Sequence, residues 1–468
     1  MSLTGKVNGK TVRGKINRLY ELRGYSAYEV AALNGFEGTE EEWLASLKGE
    51  KGDKGEAGDC LVVCEHSGEV VAVNDASGYA LQGLTIYGKT TQTGTPSPSN
   101  PVPLVSAGSG GSIGVKVAGK NLLDVSALRN NGNVTCNVSA DTYTVTVTGS
   151  NAWGRVGMAL GTSLAGKTVC LKMDSATQTS NIAISCVQIT AYAPSGNVHC
   201  AISKSFLSRS VTIPSDTTAV EIGFYINNTA TALDTSNTAT FNGVRLTFVE
   251  DAEWEQYKEI QTLTLATPNG LPGIPVTSGG NYTDSNGQQW ICDEIDLARG
   301  VYVQRVYNPV LSALGWSEGN YNDDRDGKLY QVNLNGVARL ASGSMVSHFN
   351  ESASASGYRW ETLKLGEYFG PAGYLVVCAP QTTLGEFKDW LASEDAEAMF
   401  ARETPIETPL DADTLAAYAA LHTNKPNTTV LNDAGAGQKL GYVADTKTYI
   451  DQKFTQLQSA IIAAIGTI

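Results

Sequence analysis

The chain has 468 residues, too many for one ordinary core, and by the usual domain size it should divide into about three or four units. Its formal net charge of −14 gives counterion release nothing basic to work with, which excludes nucleic acid as the expected partner. Charged residues are sparse at 17%, glycine is abundant, and Ser, Thr, Asn, Val and Tyr fill long stretches, a mix of turn and strand formers that predicts a mainly β chain.

The opening segment, MSLTGKVNGKTVRGKINRLYELRG, lacks the apolar core of a secretory signal, and no run of about 18 apolar residues occurs anywhere, so neither export by that route nor a membrane span is expected. Ser26-Ala27-Tyr28-Glu29 and Thr39-Glu40-Glu41-Glu42 each place a hydroxyl three residues before a Glu, the capping-box spacing that satisfies the orphan N–H groups of a helix start. They predict two short helices. The first runs through Val30-Ala31-Ala32-Leu33 and stops at Asn34-Gly35; the second carries Trp43, Leu44 and Leu47 on one face and stops at Gly49. Neither is long enough to be stable alone.

From Gly49 to Asp59 glycine recurs every third residue, with acidic and basic residues alternating between, the pattern of a collagen triple helix. Proline is missing and the triplets are few, so a charged flexible linker is the competing reading. Further on, Leu84-Thr85-Ile86-Tyr87-Gly88-Lys89 reads as a strand, and the prolines of 95–103 make an extended, rigid connector. Between Asn121 and about Glu250, alternating runs such as Tyr143-Thr144-Val145-Thr146-Val147-Thr148 and Val220-Glu221-Ile222-Gly223-Phe224-Tyr225-Ile226, separated by polar turns, predict an antiparallel sandwich. The stretch from about Gln261 to Phe400 repeats the mixture with more aromatics and predicts a second β-rich unit. Ile450, Phe454, Leu457, Ile461, Ala464 and Ile468 step by 4, 3, 4, 3 and 4. That seam suits either a trimeric coiled coil or an amphipathic helix docked on its own domain.

Residues 26–49 resemble the short helical module that precedes collagen-like repeats in tail and baseplate fibre proteins of phages of Firmicutes. Leu84 to Pro96, followed by Gly119-Lys120-Asn121-Leu122-Leu123, is similar to the middle of minor tail and tail-fibre proteins of the same phages. There, Asn-Leu-Leu opens a jelly roll like a carbohydrate-binding module, whose last strand resembles Val244-Arg245-Leu246-Thr247-Phe248-Val249-Glu250. Tyr282 to Asp296 and Leu421 to Val430 look like recurrent parts of the same proteins. The resemblance implies a virion component in the tail or baseplate, assembled in the host cytoplasm as an elongated homotrimer that takes a wall polysaccharide or teichoic acid of the host as ligand. It supplies no catalytic residues, and no enzyme is expected. The expected organisation is a virion-attachment segment over 1–48, which would contact other tail or baseplate proteins, a collagen-like neck over 49–59 and a β-rich connector over 60–120. A sandwich over 121–260, a second β domain over 261–405, a linker over 406–445 and a terminal helix over 446–468 would follow.

Glycan binding needs an exposed aromatic ring to cover the apolar face of a sugar and polar groups to fix its hydroxyls. Trp153, Tyr192 and Tyr225 in the sandwich and Trp316, Tyr321 and Trp360 beyond it are the candidate ligand-binding rings, although each is more often used as core in β proteins. Gly110-Gly111-Ser112-Ile113-Gly114 matches the Gly-x-Ser-x-Gly elbow, but in a Ser/Gly loop rather than between a strand and a helix, so it reads as an accident of composition. Asn322, Asp324 and Asp326 with Gly327 form the front half of a calcium loop, yet Asn333 stands where the bidentate Glu belongs, so an Asp-rich turn is the commoner reading and no cofactor is expected. The eight cysteines lack paired spacing, and reduced, mostly buried thiols are expected.

Overall fold

The computed structural model describes residues 2–15, 25–47, 61–130, 133–149, 153–227, 234–235, 237–248, 250, 253–319, 327–337, 343–352, 363–369 and 373–465. It is mainly β, with few helices, and divides into two compact units, Met1–Leu61 and Val62–Ile468.

In the first unit a hairpin pairs Ser2–Val7 with Lys10–Lys15, where the sequence reading placed no strand. Its turn residues Asn8 and Gly9 have φ of 49° and 78°, the left-handed pair that a two-residue hairpin turn needs and that Asn-Gly adopts at little cost. The two capped helices span Ala27–Leu33 and Glu40–Leu47. At the first, the Glu29 N–H donates to Ser26 Oγ at 3.2 Å and the Ser26 N–H to Glu29 Oε2 at 2.7 Å; Thr39 and Glu42 repeat the exchange at 3.2 and 2.7 Å. Helices this short need tertiary support. Tyr28 supplies it, its ring 6.2 Å from that of Trp43 and its hydroxyl donating to Gly38 O at 2.6 Å. The glycine triplets of 49–59 lie outside the described residues.

The body of the second unit is a pair of sheets sharing one core. One has the strand order Gln261–Thr267, Gly111–Ala118, Thr428–Asn432, Val70–Val73. The other runs Ser344–Val346, Ala398–Pro409, Val301–Tyr307, Glu294–Asp296, Gly83–Tyr87, Gly437–Val443, Val63–Gly68. Leu84, Ile86, Val115, Val117, Val430 and Leu440 meet between them. The expected connector over 60–120 and linker over 406–445 therefore supply central strands. Leu84 is paired with Leu440 and Val117 with Val430, so the contacts that make these short apolar runs core are closed by partners hundreds of residues away. The proline-rich run 95–103 contributes only the isolated bridge between Ser97 and Asn100.

Two lobes leave this body between strands that are themselves paired. The first, residues 121–250, departs after Gly111–Ala118 and returns before Gln261–Thr267. Its four-stranded sheet orders Val134–Ser139, Thr142–Val147, Thr238–Asn242, Ser175–Gln178. A five-stranded sheet orders Val198–Ile202, Ile184–Tyr192, Ala219–Asn227, Trp153–Ala159, Arg129–Asn130. A three-stranded sheet completes it. The sheets close over one core, in which Tyr143 stacks on Phe224 at 4.9 Å and Phe241 meets Phe224 edge-on at 5.7 Å. Asn121 clasps the two ends of the lobe: its Oδ1 accepts from the N–H groups of Leu123 and Leu246, each at 3.2 Å, and its Nδ2 donates to Glu255 O at 3.0 Å. Lys167 Nζ, donating to Asn432 O at 2.7 Å, ties the lobe to the body.

The second lobe, 308–397 apart from Ser344–Val346, leaves between Val301–Tyr307 and Ala398–Pro409. It forms a five-stranded sheet ordered Ser317–Glu318, Lys328–Asn333, Tyr374–Ala379, Glu367–Phe369, Asn350–Glu351, covered by the helix Leu384–Ser393. The expected unit over 261–405 is thus split, since 261–307 belongs to the body. The final helix, Thr446–Ile465, is held at its start, where Tyr449 packs on the body core and Gln452 Nε2 donates to Asn74 Oδ1 at 2.9 Å. Beyond that point Phe454, Leu457 and Ile461 are exposed, at 62%, 56% and 48%. The alternative of a seam docked on its own domain is not what the chain does. No helix among the described residues is long and apolar enough to cross a membrane.

Candidate glycan-binding face

Strand geometry alone assembles the site. In Trp153–Ala159, the buried positions are Gly154, Val156 and Met158, which turns Trp153, Arg155, Gly157 and Ala159 outward. In Ala219–Asn227, Val220, Ile222, Phe224 and Ile226 enter the core, and Glu221, Tyr225 and Asn227 emerge on the same side as Trp153 and Arg155. The register sets them in rows, Trp153 beside Asn227, Arg155 beside Tyr225 and Gly157 beside Gly223. On the other flank, Cys186 stands beside Tyr225 and Gln188 beside Gly223, with Thr190 next to His199.

The middle of this face is a charged pair on a glycine floor. Arg155 donates to Glu221 Oε2 at 2.7 Å, and its guanidinium carbon lies 5.7 Å from the Tyr225 ring centroid. A Cβ at Gly223 would stand 2.7 Å from Arg155 Nε and 2.8 Å from the Tyr225 ring, so the absent side chain is what lets the guanidinium and ring lie along the sheet. Tyr192 closes the row, its hydroxyl donating to Glu221 Oε2 at 3.4 Å. Trp153 stands at the edge, 51% exposed. A shallow recess of about 300 Å³ runs beside them, between Arg129, Asn130, Met158 and Glu221. Burial pushes the Tyr225 phenol above its ordinary pKa, so it stays a neutral donor. Burial also pushes the Cys186 thiol up to about 11, which makes it an inert filler rather than a nucleophile.

Trp153, Tyr192 and Tyr225 therefore share one face. Trp316 is core instead: it is 5% exposed, meets Phe387 edge-on at 5.0 Å, and its Nε1 donates to Leu311 O at 2.7 Å. The helix Leu384–Ser393 needs its apolar face covered, and this ring covers it. Tyr321, Trp360 and the calcium-loop residues Asn322, Asp324 and Asp326 lie outside the described residues. Ser112 falls inside the strand Gly111–Ala118, paired with Ala266, and no helix follows it. Sequence reasoning missed Arg155, Glu221 and the glycine floor. Their signal was present as parity, since Trp153, Arg155 and Gly157 alternate with core positions, as do Glu221, Gly223 and Tyr225.

No family model and no curated protein matches the chain. Among solved structures it is similar to a "Xylan-Binding Domain from CBM 22, formally x6b domain", at 16% identity and a TM-score of 0.19, over 29% of this chain and 94% of that one.

Proposed function

We propose that the chain is a glycan-binding adhesin of the phage tail-fibre kind, which attaches a virion to a host wall polysaccharide or teichoic acid through the outer face of the five-stranded sheet. The observation that carries this reading is the convergence of Trp153, Tyr192 and Tyr225 around the Arg155–Glu221 pair. A half-exposed ring covers the apolar face of a sugar, and the carboxylate and nearby amides of Gln188 and Asn227 supply acceptors and donors for its hydroxyls. Rows of such groups along a strand repeat about every 7 Å, which suits a polymer better than a lone small molecule. The first unit would join other tail or baseplate proteins. The exposed Phe454, Leu457 and Ile461 of Thr446–Ile465 would pack against their copies in a homotrimer, where weak sites act together by avidity.

The test is to run the purified chain with wall polysaccharide from candidate Gram-positive hosts on a sizing column. Co-elution with polymer of unchanged length, lost in Trp153→Ala, supports the adhesin. Shortened polymer would replace it with a depolymerase, and no co-elution across several hosts with a structural adaptor. Sedimentation of Phe454→Asp against the parent chain tests the trimer separately: equal masses would remove the seam from the argument.

A further inference from the structure

A second candidate site lies in the body, where the ladder between Val301–Tyr307 and Ala398–Pro409 breaks. Gln304 pairs with Ile406 and Val306 with Ala401, so one residue on the first strand faces four on the second. Bulges of this kind free backbone groups and re-aim side chains. Here the released N–H groups of Arg305 and Val306 both donate to Asp293 Oδ1 at 2.7 Å, and the Tyr302 hydroxyl donates to Oδ2 at 2.6 Å. Asp293 is 2% exposed, and burial pushes its carboxyl up to about 6 against those three hydrogen bonds.

Beside this carboxyl the broken ladder leaves a cavity of about 670 Å³, within the range of small-ligand sites. Pro268, Pro272 and Leu410 give it apolar wall, and Gln304, Asn308 and Arg402 give it amide and guanidinium groups. Arg402 stacks on the Tyr307 ring at 5.0 Å, and its Nε is buried without an acceptor among the described residues. A buried donor left unpaired is costly, and a ligand oxygen would satisfy it. Asp411, the other acid at the rim, is committed to Thr414, accepting from its N–H at 2.7 Å and its hydroxyl at 2.8 Å.

We propose that this cavity is a second binding site, separate from the sheet face, that takes one neutral unit rich in vicinal hydroxyls, either a ring sugar or an open-chain polyol. One guanidinium beside one buried carboxyl makes a lining of mixed donors and acceptors with no excess positive charge. Phosphate would meet the Asp293 carboxyl with a single cation to offset it, so a neutral ligand fits better.

The experiment uses saturation-transfer NMR and calorimetry on the full chain, with methyl glucoside, N-acetylglucosamine, ribitol and inorganic phosphate as probes. Saturable binding of one neutral probe, weakened at least about tenfold by Arg402→Ala and by Thr408→Trp, is expected. Thr408 is exposed on its strand beside Tyr302, so the second variant blocks the mouth without touching the core. Which neutral probe binds distinguishes ring from open chain. The proposal is overturned if no neutral probe saturates, if phosphate binds in preference, or if both variants bind as the parent does. Loss in Trp153→Ala alone would place the binding on the sheet face and overturn it equally.

Discussion

The two lobes carried by the body use the same aromatic residues in opposite ways. In the lobe over 121–250, two sheets already fill the space between them with Tyr143, Phe224 and Phe241, and rings of the other parity face outward. In the lobe over 308–397, a five-stranded sheet has one helix to cover it, and among the described residues every ring but Tyr374 is buried or half-buried: Phe387 stacks on Tyr330 at 4.1 Å and is flanked by Trp316 and Trp390. Aromatic content thus says little about which rings are exposed. What decides is the side of the strand and whether the layer beneath is already packed.

Phe387→Ala should break the comparison hardest if it is wrong. Removing a fully buried ring that three aromatic neighbours touch is expected to cost about 3–5 kcal/mol in urea unfolding followed by near-ultraviolet dichroism. A loss below about 1 kcal/mol would mean that the rings of the second lobe do not form its core. Phe224 and Tyr225 then sharpen the point within one strand. Phe224→Ala should also cost about 3–5 kcal/mol, whereas Tyr225→Ala, one residue on, should cost far less and act mainly on glycan binding.

Much of this was legible in the sequence, and what was not has a physical cause. Both capping boxes were readable because the helix signal lies within four residues. The alternating strands of the first lobe were readable because period two is local. The central sheets were not, since Glu294–Asp296 pairs with Gly83–Tyr87 across some two hundred intervening residues and each run is too short to advertise a partner. Of the candidate face, the rings are readable one by one, but that Trp153 and Tyr225 share a side with Arg155 and Glu221 follows only from register. Trp316 takes the commoner of its two expected uses, core, and nothing near it in sequence announces its partner Phe387.

Trp153→Ala comes next in size. With the ring half exposed, unfolding stability should stay within about 0.5 kcal/mol of the parent chain. Affinity for the wall polymer should fall by about tenfold or more, or roughly 1.4 kcal/mol. Equal affinity in the two proteins would remove the tryptophan from the site and leave the face without its largest ring.

The smallest effect contrasts two histidines. His199 is exposed on the outer face of the first lobe, its Nδ1 3.3 Å from Thr190 Oγ1, whereas His348 is 3% exposed in the second. Burial holds the His348 imidazole below its ordinary pKa, outweighing the pull of Glu394 and Asp395. Its Nδ1 is 2.7 Å from Ser347 Oγ, its Nε2 has no partner among the described residues, and the Trp390 ring meets it edge-on at 5.3 Å. A neutral buried histidine must gain a proton on unfolding at acidic pH. Its contribution to stability is therefore complete above the unfolded value of about 6.5 and is lost as pH falls from there towards the depressed folded value. His348→Gln should flatten that part of the stability profile. An imidazole NMR titration of His348 with a midpoint at or above about 6.5 would show that burial does not dominate its protonation, with Glu394 and Asp395 or solvent holding the proton instead.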